Sequence, residues 1–319
     1  MADKAPFSLR TKLELARLYP VKECCRLAEL AAIARLDGAV TVASGGGVGF
    51  YIATESSAAA RKVYRLWKDC FALEGELTVK RQNRLKRHML YCIQMPPSPA
   101  IPAALQALGI LSRSRAIVPG VKKSLIKTQC CRRSYLRGAF LASGSVSGPD
   151  SNYHLEISGV NEELAHDLAA IINRFPDLGA KISRRKQSFM IYLKDSDQIA
   201  DFLALAGAHG SLLEFENTRV MKGMKNQVNR LVNCETANLC KTVDAALRQL
   251  DNIRLIDAAI GLDNLSPPLR QIARLRLENP EINLKELGEM LLPPIGKSGI
   301  NHRLRKIEEI ARPLRPRRP

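Results

Sequence analysis

Apolar residues recur at helical intervals through most of the chain, and short alternating runs interrupt them in a repeating order. The pattern predicts a helix opening at Ser8 and closing before Pro20, and a second over residues 21–36 that stops at Gly38. Two strand-like runs, 40–43 and 50–54, flank the glycine-rich 45–49. A helix over 57–71 and a basic hairpin of 77–80 with 89–95 follow. Prolines 96, 97 and 99 close this block, and a helix is expected over 102–108.

The order then repeats. Cys24, Cys25, Arg26, Leu30, Gly38 and Val40 recur as Cys130, Cys131, Arg132, Leu136, Gly144 and Val146, all at one offset. Each copy leads with a helix ending at glycine, then a hairpin, a helix and a second hairpin. In the second copy these are 146–157, 161–173, and 181–183 with 190–193. Two αββαββ units in one chain imply a pseudo-two-fold pair of subdomains. From Arg219 the pattern is almost wholly helical. Val228, Leu231, Val232, Leu239, Val243, Leu247 and Leu250 trace an apolar stripe at helical spacing. Three short helices, 269–278, 284–291 and 298–311, are separated by turns, with Asn283 placed to cap the second. The expected divisions are a first subdomain 1–100, a linker 101–129, a second subdomain 130–218, a helical domain 219–311 and an unstructured basic tail 312–319.

The last three helices have the form of a helix-turn-helix unit, in which the final helix lies in the DNA major groove. Ile300, Leu304 and Ile307 share one face and should pack inward, leaving Ser298, Asn301, His302, Arg305 and Lys306 outside. Asn and Arg can bridge adenine and guanine edges bidentately. Lys297 and Arg303 suit phosphates, and Arg274 and Lys285 on the preceding helices extend the basic surface.

Charge strengthens this reading. The 319 residues carry 49 Lys and Arg against 31 Asp and Glu, a formal charge of +18 that predicts a polyanion as partner. Residues 219–319 hold 19 of the cations against 11 acids. A hydrophobic fraction of 46% supports packed cores and excludes a wholly disordered chain. The N-terminus lacks an apolar core with a cleavage site, and no apolar run approaches spanning length. The expectation is a cytoplasmic, nucleoid-associated protein that binds double-stranded DNA, takes other regulatory proteins as a further class of partner, and does not engage a membrane.

The stretches CRRSYLRGAFLA at 131–142, NRLVNCETAN at 229–238 and SGINHRLRKI at 298–307 resemble the bacterial WhiA family over nearly the whole chain. The resemblance implies an α+β fold: tandem αββαββ subdomains like those of LAGLIDADG homing endonucleases, followed by an all-α helix-turn-helix domain. It also implies a role in transcription regulation of cell division, chromosome segregation or sporulation. In LAGLIDADG nucleases an acid just before each terminal glycine binds a divalent metal. Here the first copy keeps Asp37, whereas the second has Ser143. Hard cations favour carboxylates, so one of two sites is broken. The expectation is a non-catalytic scaffold with no metal or cofactor.

Two alternatives stand beside a sequence-specific regulator: a metal-dependent endonuclease and an architectural protein binding by charge alone. The hairpins offer a second DNA surface, Lys80, Arg81, Arg84, Lys86 and Arg87 on the first and Lys181, Arg184, Arg185 and Lys186 on the second. Exposed hairpins also carry cations simply to discourage edge pairing. The glycine run at 45–49 lacks the lysine and helix of a phosphate loop. The cysteines have no C-x-x-C spacing, so no zinc site is expected, and Cys24, Cys25, Cys130 and Cys131 are expected to pack as small apolar groups.

Overall fold

A computed structural model describes residues 5–43, 45–82 and 88–315 of the chain. It divides into two compact units with the boundary between Lys222 and Gly223.

The first unit is built twice from one plan. The first copy consists of α2 (Glu23–Asp37), β1 (Gly38–Val42), β2 (Val48–Thr54), α3 (Ser57–Phe71), β3 (Glu76–Gln82) and β4 (His88–Met95), preceded by α1 (Phe7–Arg17). The second, after α4 (Ala100–Ala107), consists of α5 (Gln129–Ser143), β5 (Gly144–Val146), β6 (Leu155–Val160), α6 (Glu162–Ile172), β7 (Lys181–Arg185) and β8 (Ser188–Leu193). Each copy forms a four-stranded antiparallel sheet, in the orders β1-β2-β4-β3 and β5-β6-β8-β7. The strands alternate, so one face of each sheet is apolar. Phe50, Ile52, Ile93 and Met95 of the first sheet, and Leu155, Ile157, Ile191 and Leu193 of the second, are buried in one continuous core. Helix starts are fixed by side-chain caps: Ser56 Oγ, Thr128 Oγ1 and Asn161 Oδ1 accept from the amides of Ala59, Cys131 and Leu164.

Three expectations change here. The segment 101–129 is not a free connection, because Ile101, Leu105, Leu108, Leu111, Val121 and Leu125 are buried in the same core. Arg35 fastens it further by donating to the carbonyls of Val118, at 2.6 Å, and Gly109. An unanticipated helix, α7 (Ser196–Ala206), is capped by Asp195 and buries Ile199, Phe202 and Leu203. Finally, residues 209–260 form a single helix, α8 (His209–Ile260). Of the seven residues in its apolar stripe only Leu250 is buried, while Val228, Leu231, Val232, Leu239, Val243 and Leu247 are exposed. The second unit's core begins further along, at Ile253 and Ile256, so the stripe marks a helix without being its buried face.

Helices α2 and α5 pack against each other at the centre of the first unit. Small residues set their approach: a Cβ built on Gly138 would meet the Glu29 carbonyl oxygen at 2.4 Å and the Ala32 Cβ at 3.0 Å. Beside that contact the fully buried Glu29 carboxylate holds two cations. Arg137 reaches it from α5 with Nη2 at 2.8 Å, and Lys62 pairs with it from α3. The cations are satisfied elsewhere too, Arg137 Nη1 on the Ala206 carbonyl at 3.2 Å and Lys62 Nζ on that of Leu15 at 2.8 Å. Four cysteines occupy the first turns of these same helices. Cys25 and Cys131 are buried as expected of small apolar groups, but Cys24 is exposed and Cys130 half-buried.

The packing at Gly138 sets a prediction. Gly138→Ala should lower stability by about 1–3 kcal/mol, since backbone on one side must move. Gly223→Ala, in exposed α8 with nothing near its built Cβ, should instead raise it by up to about 1 kcal/mol. Denaturant melts of the two variants and the parent measure both; equal, small effects would show that the helices are not in close contact.

Candidate nucleic-acid interface

In the second unit α9 (Pro267–Glu278), α10 (Leu284–Glu289) and α11 (Lys297–Ala311) enclose a small core with the end of α8. Asn283 Oδ1 accepts from the amides of Lys285 and Glu286 at 3.0 and 3.1 Å, which starts α10. The turn into α11 depends on close backbone contact. Ile295 N donates to the Gly288 carbonyl at 3.1 Å, and a Cβ on Gly288 would lie 2.1 Å from the Ile295 carbonyl oxygen. Arg276, which no sequence pattern singled out, is buried and ties α9 to the loop before α10 through the Ile282 carbonyl. Its guanidinium pKa is lowered by burial.

Ile300, Leu304, Ile307 and Ala311 of α11 are buried against Ile272 and Ala273 of α9 and Leu287 of α10. The opposite face is polar. Lys297, Ser298, His302, Arg305 and Lys306 are exposed, and Asn301 and Arg303 are half-buried. Among the described residues none of Lys297, Arg303, Arg305 and Lys306 has an ion-pair partner. The two neighbouring cations differ. Arg274 is engaged by Asp263 at 2.7 Å, and Lys285 stands 3.9 Å from Glu289. Among α9, α10 and α11 the unpaired surface charge therefore lies on α11, while Lys225, Arg230, Lys241, Arg248 and Arg254 are further exposed cations of α8. Of the expected unstructured tail, Arg312–Leu314 instead forms a 3-10 turn and Arg315 donates to Asn252 Oδ1 at 2.8 Å, while 316–319 lie outside the described residues.

The hairpins are less uniform. Lys80, Arg81, Lys181, Arg184, Arg185 and Lys186 are exposed, whereas Arg84, Lys86 and Arg87 lie outside the described residues. In register, Ser145, Glu156, Tyr192 and Lys181 form one row across the open face of the second sheet. Alternation places Arg185 on that face and Arg184 on the other. Glu156, 3.0 Å from the His154 ring nitrogen, sets a carboxylate amid these cations.

Asp37 and Ser143, the positions before the terminal glycines, lie at the ends of α2 and α5, and a residue of α1 joins them. Lys12 Nζ donates to the Ala142 carbonyl at 3.2 Å and lies within the electrostatic reach of Asp37 and Glu55. Burial lowers the Lys12 pKa, and the two acids oppose that shift. Burial pushes the Asp37 carboxyl up to about 6, with Lys12 pulling the other way. Ser143 Oγ is enclosed without a hydrogen-bond partner among the described residues. Where a nuclease would hold a divalent ion between two carboxylates, this chain has one desolvated carboxylate and a tethered ammonium.

Comparisons with known proteins agree with this architecture. Residues 23–111 match the WhiA N-terminal LAGLIDADG-like domain, 132–225 the WhiA LAGLIDADG-like domain and 228–311 the WhiA C-terminal HTH domain. The chain is 50% identical over 305 residues to a probable cell division protein WhiA of Heliobacterium modesticaldum, covering 96% of this chain and 95% of that one. It is 51% identical over 308 residues to the same-named protein of Desulfitobacterium hafniense, covering 97% and 96%. The crystal structure of full-length DUF199/WhiA from Thermotoga maritima aligns with a TM-score of 0.56 at 26% identity, over 95% of this chain and 97% of that one. Among the described residues no helix is long and apolar enough to cross a membrane.

The Asp37 site makes a measurable statement. Its carboxyl keeps its proton to about pH 6 in the fold but loses it near 4 when exposed. The cost of burying the charge is thus absent below about pH 4, grows as pH rises, and is complete above about pH 6. Carboxyl carbon NMR should give a midpoint of about 6 for Asp37, and Lys12→Met should move it upward. A midpoint near 4, indifferent to that substitution, would place Asp37 in open water.

Proposed function

The chain belongs to the WhiA family, and from the free cationic face of its last helix we propose that it is a sequence-specific DNA-binding regulator. The observation that carries this reading is the contrast among the last three helices. Arg274 and Lys285 have carboxylates beside them, while Lys297, Arg303, Arg305 and Lys306 on α11 have none. A helix held by a buried apolar stripe and presenting Ser298, Asn301, His302 and Arg305 outward has the side chains that read base edges in the major groove. Lys297, Lys306 and Arg303 supply phosphate contacts that fix register. Arg274 and Lys285 join them by exchanging a carboxylate for a phosphate.

The LAGLIDADG-like unit acts as a scaffold without nuclease activity. Hydrolysis with divalent ions requires anionic ligands on both sides of the scissile phosphate. Ser143 brings no charge, and the Lys12 ammonium opposes a second cation beside Asp37. The exposed hairpin cations, Lys80, Arg81, Lys181, Arg184 and Arg185, give this unit a subsidiary hold on the duplex backbone. The relatives' name supports placing the regulatory output in cell division, and chromosome segregation is a role that the family resemblance implies. Sporulation control is the further role that the family resemblance implies.

Footprinting of the full-length protein on genomic DNA tests the proposal. Asn301→Ala or Arg305→Ala should relax base preference at one position, at a cost of about 1–3 kcal/mol. Lys297→Ala should weaken all sequences alike. Variants that discriminate like the parent would refute the assignment of α11. Supercoiled plasmid carrying a footprinted site should stay intact in Mg²⁺ or Mn²⁺ with the parent and with Ser143→Asp. Nicking by the parent that vanishes in Asp37→Ala would establish the endonuclease instead.

A further inference from the structure

The repeat places two pairs of adjacent cysteines at equivalent positions, and the fold brings the pairs together. Cys24 and Cys25 lie in the first turn of α2, Cys130 and Cys131 in the first turn of α5. All four Sγ atoms lie within 4.8 Å of one another, and none is in a disulfide. Among the described residues this is the group of three or more ligand atoms close enough to share an ion. We propose that Cys24, Cys25, Cys130 and Cys131 form a structural tetrathiolate site for a single thiophilic divalent ion, zinc by preference, that clasps the two halves of the first unit.

The distances favour one ion over a cluster. Four thiolates around a tetrahedral zinc at about 2.3 Å lie roughly 3.8 Å apart. The observed spread is compatible with that cage after a small contraction. An iron–sulfur cluster interposes several iron and sulfide atoms between its cysteines and needs a wider one. All four ligands are thiolates and none of the positions is left open, which is the donor set of a structural rather than a catalytic zinc. A tetrathiolate carries two net negative charges once a divalent ion is bound. The positive N-terminal ends of α2 and α5 converge on it, and Arg26 and Arg132 follow the cysteine pairs in sequence with Lys22 and Arg133 one position further out, outnumbering the acid Glu23 beside Cys24. Thr128 Oγ1 stands 3.2 Å from Cys130 Sγ, where its hydroxyl can donate to a coordinated sulfur. Access exists as well: a shallow pocket lined by Lys22, Cys25, Cys130, Arg133 and His209 opens on the site.

Motif spacing misses this site for a physical reason. A C-x-x-C rule describes two ligands from one turn, with the second such pair nearby in sequence. Here each helix supplies neighbouring residues, and the second pair arrives only when α5 packs on α2. The expectation of no zinc site rested on that spacing rule alone, which does not see ligands brought together by the packing of these helices.

Untagged full-length protein from zinc-supplemented cells, purified anaerobically, provides the test. Elemental analysis should find one zinc per chain, and four of the eight thiols should resist a thiol reagent until the ion is chelated. Cobalt exchanged into the site should give the intense visible bands of tetrahedral thiolate ligation. Cys24→Ser, at an exposed position that spares the core, should lose the ion and lower the melting temperature. Cys234→Ser and Cys240→Ser, exposed in α8, should retain it. Folded protein that takes up neither zinc nor cobalt would overturn the site. So would a Cys25–Cys130 or Cys24–Cys131 disulfide in the anaerobic preparation, or an iron–sulfur chromophore with acid-labile sulfide.

Discussion

The close approach of α2 and α5 is the constraint on which the first unit depends. Gly138 lets one backbone rest on the other, and the Glu29 carboxylate fills the adjoining space with its partners Arg137 and Lys62. Taking these charges out of water is costly, and leaving one without its partners costs more than the complete set gains. The arrangement is therefore all or nothing. It commits α3 to α2 through Lys62, and α5 to the carbonyl that ends α7 through Arg137. Both sheets, and both ends of the two central helices, take their positions from this contact.

The formal charge of +18 reads differently once the cations are placed. Lys12, Arg35, Lys62, Arg137 and Arg276 face carbonyls or buried carboxylates within the protein. Arg10 is held by Glu214. These side chains give cohesion and are poorly placed to attract a polyanion. What remains outside is unevenly distributed. The open face of the second sheet mixes Lys181 and Arg185 with Glu156, whereas the cations in the first half of α11 are held in no ion pair. The total charge thus overstates what is free to attract a polyanion, and its position on the surface matters more than its sum.

Much of this was legible in the chain. The single offset between Cys24 and Cys130, and between Gly38 and Gly144, revealed the duplication because helix ends and ligand-sized side chains had to recur together. The spacing of Ile300, Leu304 and Ile307 gave the buried face of α11 directly. The failures concern contacts between distant segments. Periodicity identifies α8 as a helix, but whether Val228 or Leu239 finds a partner is decided by where the next core begins. Residues 101–129 have mixed composition and still enter the core, because Arg35 and a few apolar side chains suffice to fasten them. No local pattern signals that α1 brings Lys12 to the end of α5.

Joining both copies in one polypeptide also changes what mutation can do. In a symmetric dimer every substitution appears on both sides of the axis, so an acid facing its own image must find an arrangement that suits two acids. Here Glu29 corresponds to Tyr135, and Arg137 to Ala31. The buried pair thus unites two positions that have diverged, each in one copy alone. The same freedom allows Asp37 in one copy and Ser143 at the matching position of the other. A seam within one polypeptide is heterologous and can hold interactions that no pair of identical subunits could form only once.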